Sequence, residues 1–133
     1  MNDISASFED YLEAIFVLRQ DFGAARMTDV ADFLGVSKPS VNRAVGTLKE
    51  AGYLSHESYG DITLTLEGET YAAKVLHRHK LIKRFLTDTL GVEEEIAQKD
   101  ACQMEHVMSP RTIELLFKYL EKNSKIEAKN EKL

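Results

Sequence analysis

The chain has 133 residues, 44% hydrophobic and 29% charged, which suits one compact domain or two small ones sharing a core. A single cysteine, Cys102, excludes an intrachain disulfide and fits a reducing cytoplasm, and no apolar run approaches the ~20 residues that span a bilayer. The net charge of -5 argues against a uniformly basic nucleic-acid binder. It does not exclude one basic face, because SKPSVNR and KVLHRHKLIKR are locally basic while Glu93, Glu94 and Glu95 open an acidic stretch.

The start, MNDISASFED, lacks the basic and apolar segments of a secretory leader. Ser7 is expected to cap a first helix, with Asp10 three residues on, and Phe8, Leu12, Ile15 and Phe16 recur at helical spacing up to Gly23. Thr28 is expected to cap a short second helix carrying Val30, Ala31 and Leu34, which Gly35 ends. Ser37 caps a third helix, where Pro39 is tolerated because first-turn amides have no intrahelical acceptor. Its buried stripe reads Val41, Ala44, Val45 and Leu48. In YLSHESYGDITLT, two alternating segments flank Tyr59-Gly60-Asp61, the pattern of a hairpin. A long amphipathic helix follows and is stopped by Gly91. A shorter one is expected from about Glu93 to Met108, and Ser109-Pro110 opens the last, with Ile113, Leu116 and Leu120 as its stripe. The charged end, KNSKIEAKNEKL, reads as frayed or disordered.

The expected fold is mainly α with a small β-hairpin wing. A winged helix-turn-helix occupies residues 1–65, a helical domain 66–122, for which the family resemblance given below implies metal binding and dimerisation, and a charged tail 123–133. In the helix-turn-helix, Ala31 allows close approach, Gly35 makes the turn, and Val41 and Leu48 anchor the second helix. Lys38, Pro39, Ser40, Asn42, Arg43 and Thr47 are then left for DNA. Lys38 and Ser40 lie at a helix N-terminus that favours phosphate, and Asn42 and Arg43 are types that address base edges. Tyr59 at the hairpin tip would touch adjacent backbone. An ordinary helical hairpin with a solvated face has the same parts; the hairpin after a basic helix favours the DNA reading. No nucleophile–base arrangement or phosphate loop is present in the sequence, so an enzyme is not expected.

Cys102, Glu105 and His106 fall at i, i+3 and i+4, one face of a helix. Thiolate, carboxylate and imidazole together suit a borderline divalent transition metal. Asp10 and Glu13 share a face of the first helix, and His79 lies in the basic HRHK stretch. Singly, each has an ordinary role: Cys102 as a small buried hydrophobe, Asp10 as a cap, His77 and His79 as solvated cations, His106 as a core histidine. Together they make a metal site an open alternative.

FEDYLEAIFVL, the Ala31-to-Leu48 helix pair, LTLEGETYA, RHKLIKRFL and above all DACQMEHVMS resemble the diphtheria toxin repressor family of metal-activated transcriptional repressors, over about Ser7 to Leu120. The resemblance implies a cytoplasmic homodimer, built by the helical half, that binds a palindromic operator in double-stranded DNA when loaded with Mn(II) or Fe(II), one or two ions per protomer. By position it implies Asp10, His79, Cys102, Glu105 and His106 as ligands, with Glu13 matching a ligand of the manganese-responsive branch. Cys102 is iron-like, since the manganese branch usually has a carboxylate there. Lys83 and Gln98 stand where iron-branch members have a carboxylate and a histidine of an ancillary site. The family's SH3-like domain has no counterpart in these residues. The competing reading is a winged-helix regulator that answers a small organic effector or a protein partner without metal; neither a membrane nor an organic substrate is implied by the family.

Overall fold

The structure is a computed structural model that describes the backbone of residues 2–56 and 60–132 and the side chains of residues 8–55 and 60–123. The chain divides into two compact units, Met1–Val75 and Leu76–Leu133.

In the first unit, helix α1 spans Asn2–Phe22, α2 Met27–Leu34 and α3 Lys38–Glu50, followed by strands β1, Leu54–His56, and β2, Ile62–Leu64. Ser7 lies inside α1 rather than at its start, since nothing in NDISAS breaks a helix. Nor does Thr28 cap α2: the helix begins at Met27, and the Asp29 carboxylate accepts the Arg26 amide at 3.1 Å. Because Asp29 reaches back to the residue before the helix, it satisfies a donor that the first turn leaves orphaned. Gly35 takes φ 67° and ends α2 with its amide on the Ala31 carbonyl. Ser37 caps α3 as expected, its Oγ accepting from the Ser40 amide at 3.3 Å. The antiparallel hairpin pairs Leu54 with Leu64, Ser55 with Thr63 and His56 with Ile62. Tyr59 lies outside the described residues.

The apolar stripes meet in one core. Tyr11, Leu12, Ile15, Val30, Val41, Val45, Leu48, Leu54 and Ile62 are buried together, as the helical and alternating periods required. An ion pair between distant parts of the sequence ties this core to the wing. Arg19 Nη1 donates to Asp61 Oδ1 at 2.9 Å and to the Ile62 carbonyl at 3.1 Å, and Asp61 Oδ1 also accepts the Ala25 amide at 3.0 Å. The Ala25 amide, with help from Arg19, holds the Asp61 carboxyl below its ordinary range against the effect of burial.

Helix α4, Leu66–Arg84, starts in this unit and continues into the second. Its start is pinned to the turn between α3 and β1. Thr65 donates its hydroxyl to the Gly52 carbonyl at 2.6 Å and its amide to the Tyr53 carbonyl, and its Oγ1 accepts the Gly68 amide. Gly68 lies so close to Tyr53 that a Cβ would fall onto its carbonyl oxygen.

In the second unit α4 ends in a π-helical turn, Phe85–Thr89, and Gly91 turns the chain at φ 73°. Thr87 donates its hydroxyl back to the Lys83 carbonyl, competing with the regular ladder there. Helix α5 covers Glu94–Met104, and α6 Pro110–Lys132. The expected helix from Glu93 to Met108 is thus shorter. Glu105 is its C-terminal cap and residues 105–107 form a turn ahead of Pro110, which opens α6. The end of the chain also departs from expectation: its backbone continues α6 to Lys132, in a stretch free of Gly and Pro and rich in Lys and Glu. Ile82, Leu86, Ala97 and Ala101 form this unit's core, with Ile113 and Leu116 of α6 packed against it. No helix among the described residues is long and apolar enough to cross a membrane.

Gly68→Ala is expected to destabilise the protein by about 1–3 kcal/mol, since backbone rather than a flexible side chain must yield. A thermal melt of the variant that matches the wild type would show that the α4 start is not held this tightly.

Candidate metal centre and DNA-reading face

The DNA-reading candidates lie on α3. The same 3.6-residue period that buries Val41, Ala44, Val45 and Leu48 leaves Lys38, Pro39, Asn42, Arg43 and Thr47 exposed and Ser40 half-buried. Ser40 is committed to the helix cap, its hydroxyl 2.9 Å from that of Ser37. Thr47 donates to the Arg43 carbonyl at 3.1 Å. Lys38, Asn42 and Arg43 therefore present the longer polar side chains of this face.

The metal-ligand candidates are divided between the units. Asp10 and Glu13 are half-buried on α1, three residues apart. His79 on α4, Cys102 on α5, and Glu105 and His106 at the end of α5 belong to the second unit, whose fold brings Glu105 to both His79 and His106 and sets Cys102 beside His79. Glu105 is 1% exposed. Its Oε2 is 3.3 Å from His79 Nδ1 and its Oε1 is 3.4 Å from His106 Nε2. These approaches lack hydrogen-bond geometry: His79 Nδ1 and both Glu105 oxygens are buried without a hydrogen-bond partner. The other nitrogen of His79 is engaged, with Nε2 3.0 Å from Gln98 Oε1. Gln98 Nε2 in turn faces Cys102 Sγ at 4.0 Å.

A buried carboxylate with no donor is costly, because desolvation removes the water that would stabilise it. A carboxylate and two imidazole nitrogens that converge within 3.3–3.4 Å fit a divalent cation, which would take the place of the His79 ring proton and replace that lost solvation. The donor set passes this test. The cluster also acts on the His79 ring, whose pKa is pushed up to about 10 from 6.5. The Cys102 sulfur is the largest cause and Glu105 the next, against the opposing effect of burial.

Lys83 is engaged elsewhere, donating to Glu94 Oε1 at 3.1 Å. Gln98 and the link between Arg19 and Asp61 were not singled out as working groups from the sequence. A glutamine four residues before a cysteine on a helix was the available signal for the first; nothing local marked the second.

A winged helix-turn-helix in one unit and a buried carboxylate–imidazole cluster in the other define a metal-responsive DNA-binding protein. Residues 3–62 match the model of the iron-dependent repressor N-terminal DNA-binding domain, and residues 65–131 that of the metal-binding and dimerisation domain. The chain therefore belongs to the iron-dependent repressor family, whose members are metal-responsive transcriptional regulators.

The chain is 37% identical over 120 residues to an uncharacterised HTH-type transcriptional regulator of Methanocaldococcus jannaschii, covering 90% of this chain and 96% of that protein. It is 37% identical over 128 residues to the HTH-type transcriptional regulator MntR of Lysinibacillus sphaericus, covering 94% and 91%. Among solved structures it resembles the manganese regulator SloR, with a TM-score of 0.78 and 27% identity over 86% of this chain. This chain spans 53% of that longer one.

For metal-free protein the His79 shift has a definite sign. A ring whose folded pKa is raised adds stability that is fully present below 6.5 and lost as pH rises through about 10. His79→Gln should remove that dependence, measured as denaturation midpoints between these two values. A parallel decline in wild type and variant would mean that other groups carry it.

Proposed function

We propose that this protein is a metal-activated repressor that binds a palindromic operator as a homodimer, with Mn(II) or Fe(II) as corepressor at one or two sites per protomer. The observation that carries the metal reading is Glu105, buried with both oxygens lacking a hydrogen bond and an imidazole nitrogen near each. In this reading His79, Cys102, Glu105 and His106 hold the ion together with Asp10 and Glu13 of α1. Bound there, the ion supplies positive charge to the buried carboxylate and a crosslink among its ligands.

Because Asp10 and Glu13 belong to the helix that also packs on α3, drawing α1 toward the second unit orients the reading head. The effect is a population shift, whose size is set by the difference in metal affinity between reading-competent and other arrangements. Residues 1–65 read DNA in this proposal, 66–122 bind metal and dimerise, and 123–133 form a charged tail. The carboxylates Asp10 and Glu13 suit Mn(II), whereas the Cys102 sulfur favours Fe(II). A cytoplasmic setting keeps that sulfur reduced and gives access to DNA.

On DNA, Lys38 at the start of α3 contacts phosphate, Asn42 and Arg43 address base edges, and Pro39, Ser40 and Thr47 complete the face, with Tyr59 reaching backbone from the wing. The protein acts by binding rather than by turnover.

Operator binding measured anaerobically across a series of buffered divalent metals tests the switch. Wild type should gain affinity with Fe(II) or Mn(II), and both Glu105→Gln and His106→Ala should lose most of that gain. Variants that keep full metal-dependent binding would defeat the proposal. Absence of stoichiometric metal uptake by calorimetry would favour an organic effector or a protein partner instead.

For the reading face, Arg43→Ala should cost about 1–3 kcal/mol of specific binding and relax base preference. Lys38→Ala should weaken all sequences alike and lower the salt slope by about one. Equal losses on operator and random DNA for Arg43→Ala would remove it from base readout.

A further inference from the structure

Gln98 connects two of the proposed ligands without belonging to the set. Its carboxamide touches both the His79 ring and the Cys102 sulfur, with Oε1 3.0 Å from His79 Nε2 and Nε2 4.0 Å from Cys102 Sγ. In this orientation the amide NH2 faces the sulfur, a weak acceptor, and the carbonyl oxygen faces the ring. A carbonyl oxygen can only accept, and the ring must then carry its proton on Nε2. That leaves Nδ1 as the nitrogen that can give up its proton and offer a lone pair to a metal ion. Nδ1 is the buried atom without a hydrogen-bond partner, 3.3 Å from Glu105 Oε2.

We propose that Gln98 is a positioning residue that dictates which ring nitrogen of His79 binds metal: Gln98 holds Nε2–H and directs Nδ1 to the ion beside Glu105. The inference rests on the metal reading above and deepens it. A carbonyl partner on the far nitrogen orients a ligating imidazole and raises its basicity, and losing such a partner weakens metal binding about 10–100-fold. Gln98 itself is exposed, so replacing it leaves both hydrophobic cores intact. Water can take over part of its role in a variant, which places the expected loss near the lower end, about tenfold.

The test uses the full-length protein loaded with isotopically enriched Cd(II) and labelled with nitrogen-15 in histidine. In wild type, His79 Nδ1 should show one-bond coupling to cadmium while Nε2 carries a proton protected from solvent exchange. Gln98→Ala should bind Cd(II) and Co(II) about tenfold more weakly and lose that protection. Gln98→Glu, which keeps an acceptor at the same reach, should recover the protected proton. Cadmium coupling at Nε2 overturns the proposal, as does a Gln98→Ala variant with unchanged affinity and exchange. Wild type that takes up no metal refutes the metal site as a whole, a result distinct from binding through the wrong nitrogen.

Discussion

Glu105 is the constraint on which the second unit is organised. A carboxylate that is 1% exposed, with neither oxygen hydrogen-bonded, opposes folding through its desolvation unless something positive meets it. The fold brings up two imidazoles, one from α4 and one from the neighbouring residue, and a cation would complete the set. In the proposed reading metal affinity and fold stability draw on the same atoms, as expected where ligand groups cannot be satisfied by protein alone. The position of Glu105 at the end of α5 is part of this. Helix α5 ends at Met104, and His106 is delivered from the turn that follows rather than from one further helical residue.

The first unit solves a different problem, that of a rigid reading head on an acidic chain. In the proposed reading its contribution to DNA binding comes from one helix face, so the direction of that face matters more than total charge. Packing of Val41, Ala44, Val45 and Leu48 sets the rotation of α3. Arg19 and Asp61 fasten the end of α1 to the wing, and Thr65 and Gly68 fasten α4 to the turn that follows α3. These short contacts tie α1 to the wing and the start of α4 to the turn that follows α3.

Among the helix ends, agreement followed the strength of the local signal. Gly35, Ser37 and Ser109 act where they were expected, since a positive φ or a hydroxyl cap is a property of one or two residues. Ser7 and Thr28 carried the same kind of signal and were overridden: the helical stretch before Ser7 had no breaker, and Asp29 served Arg26 better from inside the first turn. The π-helical turn after Arg84 and the helical backbone to Lys132 had no clear sequence mark. Both arise where helix-compatible residues leave the ending to packing or to small differences in propensity.

By itself the sequence determined the order of elements, the buried stripes, the polar face of α3 and the family, because periodicity, capping and the DACQMEHVMS segment are local patterns. Residue types and helical spacing also pointed to Cys102, Glu105 and His106. Tertiary structure alone decided what those groups face: Glu105 turned inward without a donor, His79 presenting Nδ1 toward it, and Gln98 taking the other nitrogen from 19 residues away. The link from Arg19 to Asp61 across 42 residues is of the same kind. No spacing rule encodes such pairs, because they depend on how separate helices dock once their apolar faces are buried.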